Sequence, residues 1–79
     1  MRTTTVTAMP PDLGGQLRYL RQCAGLPPER VGLEIGLTAR VIGDWERGYR
    51  TPRLVYLRRL AILYGVPLSE LIEVIAGDD

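Results

Sequence analysis

No histidine occurs in this 79-residue chain. Its absence removes the side chain most often used as a general base and the imidazole half of a Cys2His2 zinc site. No paired carboxylates on one helix face and no phosphate-cradling glycine loop make up for it, so the sequence points away from an enzyme and requires no cofactor and no metal. A single cysteine, Cys23, cannot close an internal disulfide, the usage expected of a reducing, cytoplasmic compartment. Within an amphipathic segment it reads as a small, partly buried filler. No apolar run approaches the ~20 residues of a membrane span, and the start MRTTTVTAMPP has no apolar centre of the kind a secretory leader carries. A soluble, unexported protein with no membrane partner and no small-molecule substrate is expected. At this length one domain with a modest core is expected, and no second, ligand-sensing domain.

Lysine is missing too: all ten cations are arginine, and the formal net charge is only +1. A sum that small does not announce a polyanionic partner, because non-specific affinity for nucleic acid rests on neutralised phosphates. The distribution says more. Arg40, Arg47, Arg50, Arg53, Arg58 and Arg59 fall within residues 40–59, where Asp44 and Glu46 are the only acids, while the tail holds Glu70, Glu73, Asp78 and Asp79. One end of the fold is therefore basic and another acidic. The planar guanidinium suits phosphate and guanine better than an ammonium does, although a GC-rich genome gives the same lysine-free bias.

What is present is helical periodicity. Residues 1–11 read as a flexible arm ending in Pro10-Pro11, with enough β propensity at Thr3–Thr7 to add a strand to a partner. The domain proper spans 12–77. Asp12 caps a first helix whose apolar stripe is Leu13, Leu17, Leu20 and Ala24 and which stops at Gly25. Pro28 starts a short second helix with Val31 and Ile35 inward, proline being tolerated where the first-turn amide has no helical partner. Thr38 caps a third helix over 39–47, with Val41, Ile42 and Trp45 inward and Arg40, Gly43, Asp44 and Arg47 outward. Thr51-Pro52 opens a fourth helix to Tyr64, with Leu54, Leu57, Leu60 and Ala61 toward the core. A last helix over about residues 68–76 packs Leu68, Leu71, Ile72 and Ile75. Five helices without strand-like alternation after residue 8 imply a compact all-α domain.

Within it, VGLEIGLTARVIGDWERG (residues 31–48) carries three constraints of a helix-turn-helix. Crossing helices approach closely only over a side chain no bigger than a methyl, here Gly32. The tight connection needs positive φ, which glycine accepts at Gly36. Ile42 points back to fill the space beneath the preceding helix. Such a motif presents its second helix to a DNA groove.

The stretch from Leu13 to Ile72 resembles the lambda-repressor-like helix-turn-helix domains, the XRE or Cro/C1 type. The resemblance rests on LRYLR with Gly25-Leu26, on Trp45-Glu46-Arg47-Gly48, on Pro52 and on AILYGVP at 61–67. It implies a recognition helix over 39–47 in the major groove, with base edges met by Ala39, Arg40, Gly43 and Asp44. Arg40 is suited to guanine O6 and N7, Asp44 to a cytosine N4, Ala39 to a thymine methyl, and Gly43 lets the helix sit close. Phosphates fall to Arg18, Thr38, Arg47, Tyr49, Arg50 and Arg53, whereas Arg58 and Arg59 read as surface residues. The resemblance also implies a structural ion pair between Arg21 and Glu46. The implied function is a sequence-specific regulator of transcription, a small phage or bacterial repressor or a Cro-like protein, acting as a homodimer on palindromic double-stranded DNA. Val55, Tyr56, Ile62 and Val74 are spare apolar candidates for the dimer interface.

The chain departs from the family pattern where Pro27 and Pro28 replace the usual serine and glutamine, losing a capping side chain and a backbone donor. Asp44 also sets a negative charge where a polyanion approaches. Both departures keep a second reading open: a protein-interaction adaptor or antitoxin-like module that retains the fold without reading DNA.

Overall fold

Asp12 starts the first helix by local capping: its carboxylate accepts from the Gly15 amide at 3.0 Å, and α1 runs Leu13–Ala24. The computed structural model describes residues 10–71. The amino-terminal arm before Pro10, and Ile72, Val74 and Ile75 of the expected last helix, lie outside the described residues. Three further complete helices follow: α2 over Pro28–Ile35, α3 over Ala39–Arg47 and α4 over Leu54–Tyr64. Residues 68–71 are helical up to the last described position, and no strand occurs among the described residues.

The turns follow from glycine chemistry. Gly36 sits at φ 85° between α2 and α3, and Gly48 at φ 82° after α3, a region in which a Cβ is strained. Gly48 folds the chain back so that the amides of Tyr49 and Arg50 both reach the Asp44 carbonyl, at 2.9 and 3.4 Å. That reversal brings the side chain of Arg50 toward α3.

Leu17, Leu20, Val31, Ile35, Ile42, Trp45, Leu57, Leu60, Ala61 and Leu71 form the buried core. Every helix contributes, so no pair of helices closes the core alone. Leu68 and Leu13 are partly buried against it.

Several expectations are corrected. Leu54 is 51% exposed, because α4 begins there, one residue after its cap, Arg53. Thr51 is not the cap. Pro52 is instead buried in the connecting loop, and Arg53 after it is extended, at φ −72° and ψ 160°. Cys23 and Ala24 are exposed, so the packed stripe of α1 is Leu17 and Leu20, with Leu13 partly buried at its start. Gly32 is tighter than a methyl permits: a Cβ there would lie 2.7 Å from the Leu37 carbonyl oxygen. The contact is with the turn backbone, since the Leu37 amide donates to the Gly32 carbonyl at 2.7 Å. Arg59 is not merely on the surface. Its Nη1 donates to the Ile35 carbonyl at 3.1 Å, capping the end of α2 from α4.

Candidate nucleic-acid interface

α3 hides one face and shows the other. Ile42 and Trp45 are 2% and 5% exposed, while Arg40 and Arg47 are exposed and Ala39, Gly43 and Asp44 lie half-buried. The helical period puts these two sets on opposite sides. Thr38 caps the helix, its Oγ1 accepting from the Val41 amide at 3.4 Å.

Two contacts on the buried side fix α3 against α1. At Gly14 an added Cβ would stand 2.6 Å from the Glu46 carbonyl oxygen and 2.7 Å from that of Trp45, so the backbones meet there. Beside this contact Arg21 Nε donates to Glu46 Oε2 at 2.6 Å and Arg21 Nη2 to Glu46 Oε1 at 3.1 Å. Arg21 Nη1 also donates to the Leu26 carbonyl at 3.0 Å, which ties the pair to the loop before α2. Hydrogen bonding to Glu46 holds the Arg21 guanidinium above its ordinary pKa, against the opposing effect of burial. A two-pronged arrangement of this kind adds directional specificity to charge.

On the exposed side the arginines are not equivalent. Arg47 Nη2 donates to Asp44 Oδ1 at 3.3 Å, and Arg50 Nε lies 3.9 Å from Asp44 Oδ2. The Arg47 guanidinium also lies 5.3 Å above the Tyr49 ring, within cation–π range. A Cβ on Gly43 would come within 3.1 Å of both terminal nitrogens of Arg47. The guanidinium therefore lies across the bare backbone of Gly43. The remaining ion pairs among the described residues join Arg21 to Glu46 and Arg30 to Glu34; Arg40 and Arg53 take part in none. Arg53 follows in the loop, Arg18 is exposed on α1, and Tyr49 is 73% exposed. No group of histidine, cysteine and carboxylate side chains suited to a metal ion occurs among the described residues.

The sequence reading missed Gly14, Arg59 and Tyr64. A signal existed for the first: Gly14-Gly15 opens a helix in which each glycine costs about 1 kcal/mol relative to alanine. Nothing local marked the other two.

Tyr64 carries the one buried side-chain polar atom without a hydrogen-bond partner among the described residues, its hydroxyl. Burial, then the nearby Glu46 charge, pushes its pKa well above the ordinary 10.0, while Arg21 opposes the shift. Tyr64→Phe is therefore expected to stabilise the domain by about 1 kcal/mol in urea denaturation, since an unpaired buried hydroxyl is removed. Because the folded-state value is raised, titration of this group leaves the parent's stability unchanged below pH 10 and lowers it as pH climbs above that, where the unfolded chain ionises first. The phenylalanine variant should lose that part of the alkaline decline; an equal or steeper loss would contradict the assignment.

No helix among the described residues is long and apolar enough to cross a membrane. A family model described as helix-turn-helix matches residues 17–71. No curated protein and no solved structure matches the chain.

Proposed function

We propose, from the premise that this chain belongs to the XRE, Cro-type helix-turn-helix family of DNA-binding regulators, that it is a sequence-specific repressor or Cro-like protein reading double-stranded DNA with α3 in the major groove. The observation that carries this reading is the outward face of α3, where Arg40 is exposed and unpaired among the described residues while the helix is locked from behind through Glu46. A rigid helix with an available guanidinium meets the requirement for bidentate contact with guanine. Ala39, Gly43 and Asp44 are the neighbouring base-facing positions. Thr38, Arg47, Tyr49, Arg50 and Arg53 flank them on the same helix and the loop behind it, and Arg18 is the outlying phosphate candidate. The compartment of action is the cytoplasm, where such DNA resides.

A two-fold dimer on a palindromic operator doubles the few base contacts one module makes. Val55 and Ile62 support it, being 49% and 81% exposed on α4. Tyr56 supports it less: it packs on Trp45 with ring centroids 5.7 Å apart, and the Arg59 guanidinium lies 5.8 Å above its ring.

Selection of bound sequences from a random duplex pool tests the reading. Arg40→Ala should relax preference at one position, by about 1–3 kcal/mol of discrimination. Arg50→Ala should weaken binding to the duplexes the parent selects without changing which bases are preferred, and should flatten the log–log salt slope on them by about 1, from a parent value of about −3 to −4 per subunit. If neither substitution changes binding, the orientation is wrong. If no duplex is retained even at ~50 mM salt, the protein-binding module is the better description.

A further inference from the structure

Asp44 is the unusual element of the exposed face. Its carboxylate is only 17% exposed, and it holds Arg47 and Arg50, which are 57% and 66% exposed. Both arginines also sit where a DNA backbone would be met, if the reading above is right. The bare Gly43 backbone accommodates the Arg47 guanidinium, and the Tyr49 ring supports it. Charge pairing, a glycine seat and a ring thus converge on one conformation of Arg47.

We propose that Asp44 is a specificity-determining residue that works by withholding Arg47 and Arg50 from phosphate until a base amino group replaces them. On an arbitrary duplex, giving an arginine to a phosphate leaves the carboxylate unpaired beside a polyanion, so that exchange is opposed. Where a cytosine N4 or adenine N6 amino group faces Asp44, it donates to the carboxylate, and both arginines are released to the backbone together. Base identity is thereby coupled to phosphate contact. The outcome is weak non-specific binding, in keeping with a net charge of only +1. Gly43 has a role in this scheme beyond allowing close approach: it is where the withheld guanidinium rests.

The proposal rests on the DNA-binding reading, and the test separates the two. Affinity and salt slope are measured for the parent, Asp44→Asn and Gly43→Ala, on a mixed-sequence duplex and on a duplex selected from a random pool by the parent. Asp44→Asn should bind mixed sequence about tenfold more tightly at ~100 mM salt, with a slope steeper by about 1 to 2, as one or two arginines become available. Its preference for the selected duplex over mixed sequence should fall by tenfold or more. Gly43→Ala, which displaces Arg47 by crowding and leaves the carboxylate in place, should shift mixed-sequence binding in the same direction by a smaller factor. Thermal melts establish that each variant is folded. If the parent binds duplex and Asp44→Asn weakens or leaves unchanged its mixed-sequence affinity, the withholding role is overturned and the DNA reading stands. If neither the parent nor the variants retain duplex, both fail.

Discussion

Replacing either Arg21 or Glu46 with alanine is expected to destabilise the domain by about 3 kcal/mol or more, the usual result of orphaning one member of a buried ion pair. In a domain of this size that corresponds to a fall in Tm of more than about 10 °C. The two side chains are 13% and 8% exposed, so the surviving charge has little access to water. Arg21→Ala also leaves the Leu26 carbonyl without its side-chain donor. The double variant Arg21→Met, Glu46→Leu should lose less than either single change, because no buried charge remains. Urea denaturation of the four proteins, parent included, gives the comparison. Single variants within about 1 kcal/mol of the parent would reduce the pair to a surface interaction. Glu46 lies on α3, so under the proposed DNA-binding function what is lost with the pair is the angle at which Arg40 is presented.

Gly14→Ala should also be strongly destabilising, by about 2 to 3 kcal/mol, and the sign is the informative part. By helix propensity alone the change is favourable by about 1 kcal/mol. The new methyl, however, would sit 2.6 Å from one carbonyl oxygen of α3 and 2.7 Å from another, and backbone cannot step aside as a side chain can. Gly43→Ala is the natural control within the same protein. There the nearest atoms belong to the end of the Arg47 side chain, at 3.1 Å, so the propensity gain should survive. Stability rising in both variants would mean that α1 and α3 are further apart than described.

Much of the fold was legible because the rules involved are local. Asp12 and Thr38 cap the helices that follow them, Pro28 begins α2, and Gly25 and Gly36 end α1 and α2. Each depends on a side chain or a φ angle within a few residues. The inward positions Val31, Ile35, Ile42, Trp45, Leu57, Leu60 and Ala61 followed from the 3.6-residue period, and they are buried. The same reasoning failed at Leu54 and Ala24, in the terminal turns of α4 and α1. Periodicity assigns a direction there but not a neighbour to pack against.

The exposed face of α3 was legible as a set of residues and not as an arrangement. Spacing alone put Arg40, Gly43, Asp44 and Arg47 on one side; it gave no sign that Arg47 lies across Gly43 or that Arg50 returns to Asp44 from beyond the helix end.

Caps, turn glycines and apolar period are encoded within a turn or two of chain, which is why the order of the helices and the limits of the first three can be written down from the residues. The close approach at Gly14, the bond from Arg59 to the end of α2, the unpaired Tyr64 hydroxyl and the restraint of Arg47 exist only once helices distant along the chain, or a chain reversal, bring their atoms together. Whether a polar group then finds a partner is settled by distances of a few tenths of an ångström, and no one-dimensional pattern carries those.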